Sequence, residues 1–139
     1  MCYFLYGAIN EGINDSDYSK ILENCEYRDY HFKNGTEKDV NSSVEKGDLA
    51  YRITGGMCDC STPLGAHHEN KNGIREFADM LTSMRSIRNI KYIYLGLNWA
   101  GNKNKKNETV HIQDIDVPYF LANIEENCLY KILLYRKYY

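Results

Sequence analysis

Ile90-Lys91-Tyr92-Ile93-Tyr94-Leu95-Gly96-Leu97 is the stretch whose reading decides the fold. It is a dense run of Ile, Tyr and Leu with one charge near its start, the pattern of a central strand. Period-two alternation puts Ile93, Leu95 and Leu97 on one face and Tyr92 and Tyr94 on the other. Just upstream, Ile74, Phe77, Ala78, Leu81, Met84 and Ile87 keep the spacing of one helical face. Upstream again, Leu49, Tyr51 and Ile53 alternate with Ala50 and Arg52 as a half-buried strand. A strand, a crossover helix and a second strand in one sheet run parallel. The loops that leave Ile53 and Leu97 therefore emerge at the same end of the sheet.

The flanks extend this unit. Tyr3 to Ile9 is apolar and aromatic apart from Gly7, a first strand buried on both faces. Asn14 or Asp15 caps the helix that follows, where Tyr18, Ile21, Leu22 and Cys25 form one apolar stripe. Tyr27 to Phe32 is at best an edge strand. Thr36-Glu37-Lys38-Asp39 has the capping-box form and Gly47 sits at a helix C′ position, so a short helix over 37–46 is expected in preference to a hairpin through Asn34-Gly35. Downstream come a short strand at Thr109 to Gln113, a helix opened by Asp116-Val117-Pro118 with Val117, Phe120, Leu121 and Ile124 inward, and a closing strand from Leu129 to Tyr135. The order β-α-β-(α)-β-α-β-β-α-β predicts a single α+β domain over residues 1–139. Its one mixed sheet would be of ferredoxin-like split β-α-β type with a C-terminal β-α-β extension; the alternative is a small doubly wound α/β sheet.

Composition narrows the function. The chain has 139 residues, 43% hydrophobic and 26% charged, which suits one globular domain. No run approaches the roughly 20 apolar residues of a membrane span, and the start lacks the basic region of a secretory signal, so a soluble, cytoplasmic protein is expected. In that compartment the five cysteines are thiols. Formal net charge is −2, but residues 1–70 carry 6 Lys and Arg against 12 Asp and Glu, −6, while residues 71–139 carry 11 against 7, +4. The chain is dipolar rather than neutral. The near-zero total makes a nucleic-acid partner unlikely, because such a role would need Lys103, Lys105 and Lys106 to form one stripe with Lys131, Arg136 and Lys137.

The loop Gly55 to His68 is long for a strand-to-helix connection and holds Cys58, Asp59, Cys60, His67 and His68. Thiolate and imidazole are zinc's preferred ligands, and a thiol beside an imidazole is a potential nucleophile. Cys58, Cys60 and His67 are thus the candidate catalytic groups, and with His68 the candidate zinc ligands. The Cys-x-Cys and His-His spacings match neither a structural zinc site nor a redox Cys-x-x-Cys. The opening Met1-Cys2 resembles the start of N-terminal-nucleophile amidotransferases, yet those folds need a larger double sheet, and Cys2 is read as a strand residue. His31 and His111 have no partner near in sequence and read as surface or structural groups.

The second loop supplies Asn98, Trp99, Gly101, Asn102 and Lys103. An aromatic among amides and a cation is the composition of a recognition spot. The chain contains no P-loop, G-x-G-x-x-G, G-x-S-x-G or H-E-x-x-H motif. The leading expectation is a small recognition or regulatory protein, not an enzyme and without a cofactor. It would bind a protein partner or a small polar ligand at the edge formed by residues 55–68 and 98–107. The rival is a thiol- or zinc-dependent enzyme using Cys58, Cys60, His67 and His68.

Overall fold

The computed structural model describes residues 3–28, 30–34, 49–54, 59, 62–65, 73–99 and 104–137. In chain order the described elements are β1 (Tyr3–Ile9), α1 (Asp15–Tyr27), β2 (His31–Asn34), β3 (Leu49–Thr54), α2 (Ile74–Ser83), β4 (Tyr92–Trp99), β5 (Lys106–His111), α3 (Val117–Ala122) and β6 (Cys128–Leu133), with 3₁₀ turns at Met84–Ser86 and Ile112–Asp114. The helix expected over 37–46 lies outside the described residues.

One six-stranded sheet has the order β2-β3-β1-β4-β6-β5. β1 is antiparallel to both β3 and β4, so those two run parallel with β1 between them, as the crossover through α2 requires. β2 is antiparallel to β3, and β6 to β4; β5 and β6 form the one parallel pair. This mixed α+β sheet corrects the doubly wound alternative, in which neighbouring strands would be parallel. An antiparallel neighbour can be reached without a crossover, whereas a parallel neighbour needs one at each step.

Helix ends follow local chemistry. Asn14 caps α1 with a complete capping box: its side chain accepts from Asp17 N at 2.8 Å while Asp17 Oδ2 accepts from Asn14 N. Asp17 is buried, and the same Oδ2 accepts from Asn89 Nδ2 at 2.9 Å, which ties the helix start to the turn before β4. Asp116 caps α3 through Tyr119 N, with Pro118 in the first turn. α2 is shorter than its apolar stripe suggests. It ends at Ser83, tightens into the 3₁₀ turn, and Ile87 is extended although buried. β5 starts earlier than expected, at Lys106, and its end passes into the second 3₁₀ turn, where Gln113 N donates to His111 Nδ1 at 3.1 Å.

The two sheet faces divide as the alternation in β4 predicts. Ile93, Leu95 and Leu97 join Leu5, Ile9, Ile21, Cys25, Phe77 and Leu121 in the core beneath the helices. Tyr94 joins Tyr6, Ala8 and Leu129 on the opposite face, with Tyr92 packed beside them. Tyr51 is the exception that the sequence hides: fully buried, it reaches across β1 at Gly7 and donates its hydroxyl to the Tyr94 carbonyl at 2.5 Å. A β-carbon on Gly7 would overlap that carbonyl and lie 2.6 Å from the Tyr51 hydroxyl, so β1 needs glycine here.

Candidate functional site

The site is best built from the end of the sheet where β1 begins and β3 and β4 finish. Register places Tyr3 opposite Trp99 and Phe4 opposite Asn98, and their rings meet edge to face: Tyr3 and Trp99 have centroids 4.8 Å apart at 79°. Trp99 is half-buried against this partner. Its neighbour Asn98 is 4% exposed. A buried primary amide must find partners. Asn98 Nδ2 donates to Tyr6 Oη and, at 2.9 Å, to Asn104 Oδ1, while Asn98 Oδ1 accepts from Asn127 N at 3.0 Å. Tyr6 Oη completes the triangle by donating to Asn104 Oδ1 at 2.9 Å. Asn127, held at φ 61°, accepts Lys105 N through its carbonyl at 2.6 Å. Asn98 therefore clamps the start of β5 and the turn before β6 to β4. It positions the loop, and Trp99 is the group beside it that retains exposed surface.

On the other flank β3 leaves β1 after Arg52, the last residue paired with it, opposite Tyr6. Asp59 takes over the unpaired edge of β1. Its N–H donates to the Tyr3 carbonyl at 2.9 Å and its Oδ2 accepts from Leu5 N at 2.7 Å, so one residue supplies the donor and the acceptor that a neighbouring strand would. The same oxygen lies 3.5 Å from Arg52 Nη2, and the Arg52 guanidinium sits 4.5 Å from the Phe4 ring centroid. Thr62 N bonds back to Asp59, Gly65 N donates to the Leu121 carbonyl at 3.0 Å, and Leu64 is fully buried. The described parts of the 55–68 loop are thus built into the fold, and Asp59 has a ladder role.

Of the residues singled out by sequence, Asn98 and Trp99 both stand at this end of the sheet, on its two faces. Gly101, Asn102, Lys103, Cys58, Cys60, His67, His68 and Cys2 lie outside the described residues. Among the described residues no three His, Cys, Asp or Glu side chains are grouped to hold a metal ion. Cys25 and Cys128 are buried thiols; burial pushes the Cys25 thiol up to about 12, and Cys128 rises chiefly for the same reason. Burial favours the neutral thiol over the reactive thiolate in both. His111 is buried and braced by the Tyr135 ring at 4.7 Å, which makes it structural rather than a surface group.

Three contributors escaped the sequence reading, Tyr6, Arg52 and Asn104, and Asp59 was noted there without its ladder role. Arg52 was legible only as the outward residue of an alternating strand, and Asn104 is one asparagine in a loop of several. The signal that could have found them is the polar Asn98 at the end of an apolar strand, which demands partners from elsewhere.

The basic residues do not join into a stripe among the described residues. Lys106 Nζ pairs with Glu125 at 2.6 Å and Glu108 at 3.3 Å, and these hydrogen bonds raise its pKa; Lys137 pairs with Asp114. Lys131 covers the Tyr92 ring at 4.2 Å. A cleft of about 510 Å³ lies between the C-terminal turns of α1 and α2. Its Arg28 donates to the carbonyl and side chain of Asn24 and to Ser83 Oγ, closing the end of α1.

No helix among the described residues is long and apolar enough to cross a membrane. No family model, curated protein or solved structure matches this chain.

Proposed function

We propose that this chain is a recognition module that binds a protein partner or a small polar ligand at the sheet end formed by Tyr3, Trp99 and the segments around residues 55–68 and 98–107. The observation that carries the reading is the half-buried Tyr3–Trp99 pair, packed edge to face across β1 and β4 at the end of the sheet. A large aromatic held rigid at a strand end loses little freedom on binding, which is why such groups dominate recognition sites. Polar atoms of Asn98, Tyr6 and Asn104 order the other face of the same sheet end.

The experiment is a screen of polar fragments and short peptides against the full chain by ¹H–¹⁵N NMR, followed through the Trp99 indole N–H. Ligands are expected to shift this resonance and to lose tenfold or more in affinity in Trp99→Ala, and Lys103→Glu should weaken anionic ones. Ligands that bind the chain while leaving the indole unmoved, and that bind Trp99→Ala equally well, would place recognition elsewhere.

A further inference from the structure

His111 is a buried imidazole that no part of the recognition site uses. It ends β5 and caps the 3₁₀ turn Ile112–Asp114, with Nδ1 accepting the Gln113 N–H at 3.1 Å. That bond fixes the tautomer: Nδ1 carries no proton, and the single proton of the neutral ring sits on Nε2. Nε2 is itself closed to solvent and has no hydrogen-bond partner. A second proton can enter the ring only at Nδ1, where it opposes the Gln113 N–H. The imidazolium and the capped turn therefore exclude each other.

The turn that His111 caps also holds the segment 135–137 that follows β6. Gln113 takes both backbone groups of Lys137 with its side-chain amide, Oε1 accepting from Lys137 N at 2.6 Å and Nε2 donating to the Lys137 carbonyl at 3.3 Å. Lys137 Nζ pairs with Asp114 on the same turn, and the Tyr135 ring stands edge-on to the imidazole with centroids 4.7 Å apart. The surrounding charges do not favour a positive ring. Arg85, from the turn after α2, donates to Gln113 Oε1 and to the Leu134 carbonyl. Lys131 is the cation of β6, and Arg136 and Lys137 belong to the segment itself. The one carboxylate of the turn, Asp114, is engaged by Lys137, and neither His111 nitrogen meets a carboxylate.

We infer that His111 is a proton-operated latch: neutral, it holds the turn and through it the segment 135–137; protonated, it gives up the Gln113 bond and lets the segment go. The docked form is present above the range in which histidine ordinarily titrates and is lost as pH falls through that range. Register puts His111 beside Leu133 and Leu133 opposite Tyr92, at the far end of β4 from Trp99. The latch thus stands apart from the proposed recognition site.

The test measures ¹⁵N relaxation of the full labelled chain between about pH 8 and pH 5, with long-range ¹H–¹⁵N spectra reading the His111 ring nitrogens. The order parameter of the Lys137 N–H should fall from about 0.85 to below about 0.6 as His111 takes up its proton, while that of Ile93 in β4 stays rigid. His111→Asn keeps a side-chain acceptor for the Gln113 N–H without a titrating group, and should hold Lys137 rigid at both ends of the range. Gln113→Ala removes the amide that grips Lys137 and should free it at both. A Lys137 order parameter that does not change with pH, that falls together with Ile93, or that falls equally in His111→Asn, where Asp114 remains, overturns the inference; so does a rigid Lys137 in Gln113→Ala. If His111→Asn does not fold, the wild-type chain decides: a release whose midpoint departs from the titration of the His111 ring overturns it as well.

Discussion

Replacing Gly7 with alanine tests the least obvious packing relation in the molecule. The new β-carbon would overlap the Tyr94 carbonyl and approach the Tyr51 hydroxyl to 2.6 Å, so β1 must shift or Tyr51 must leave. Overpacking of a filled site costs about 1–3 kcal/mol. Losing a buried hydroxyl's hydrogen bond adds roughly another 1–3 kcal/mol. We expect Gly7→Ala to lose about 2–6 kcal/mol, a large share of the roughly 5–15 kcal/mol that stabilises an ordinary domain. Urea denaturation followed by far-ultraviolet circular dichroism measures it. Gly12→Ala is the control: Gly12 has φ 91° but open space around its β-carbon position, so it should cost only the roughly 1–2 kcal/mol of a left-handed alanine. Tyr51→Phe in the Gly7→Ala background should cost less than alone, because the bond it removes is already broken. A loss below about 1 kcal/mol for Gly7→Ala, or strict additivity with Tyr51→Phe, would refute the claim that Tyr51 crosses β1 at this glycine.

Two further outcomes follow from the same geometry. Asp59→Asn keeps an acceptor for Leu5 N but removes the charge facing Arg52; a stability loss of about 2 kcal/mol is expected in the same urea assay, and a neutral result would mean that the pair contributes nothing beyond the ladder bond. In alkali the unfolded chain releases the Cys25 proton near its ordinary 9.0 while the folded chain holds it to about 12, so the contribution is complete below pH 9 and is lost as pH rises toward 12. Tyr51 and Tyr130, also raised chiefly by burial, act in the same direction at higher pH. Cys25→Ala should flatten the fall of the melting temperature between pH 9 and 11; an unchanged slope would remove Cys25 as its cause.

The sheet's plan was legible because the periods in the chain report burial directly. The alternation in Tyr92 to Leu97 separated the helix-covered face from the tyrosine face, the stripe from Ile74 to Met84 supplied the crossover, and together they put the ends of β3 and β4 at the same end of the sheet. Asn14 and Asp116 announced their helices by capping chemistry that needs only local backbone. The end of α2 was less legible: Ile87 continues the apolar stripe, but the backbone has already left the helix, because a buried position can be filled from either conformation.

The site depended on contacts that no local pattern encodes. Asn98 and Trp99 stood out by composition, whereas Arg52, Asp59 and Asn104 matter only because β1 lies between β3 and β4 and brings residues far apart in the chain within hydrogen-bond range. Asp59 stood in the sequence only between two conspicuous thiols; the fold uses it to finish the edge of β1. By itself the sequence determined which residues face the core, where the chain turns, and which two loops share an end of the sheet, since these follow from period and propensity along the chain. Only the tertiary structure decided that Tyr51 needs Gly7, that Asn98 is a clamp and that Arg52 faces Asp59, because a hydrogen bond is settled by where both partners stand.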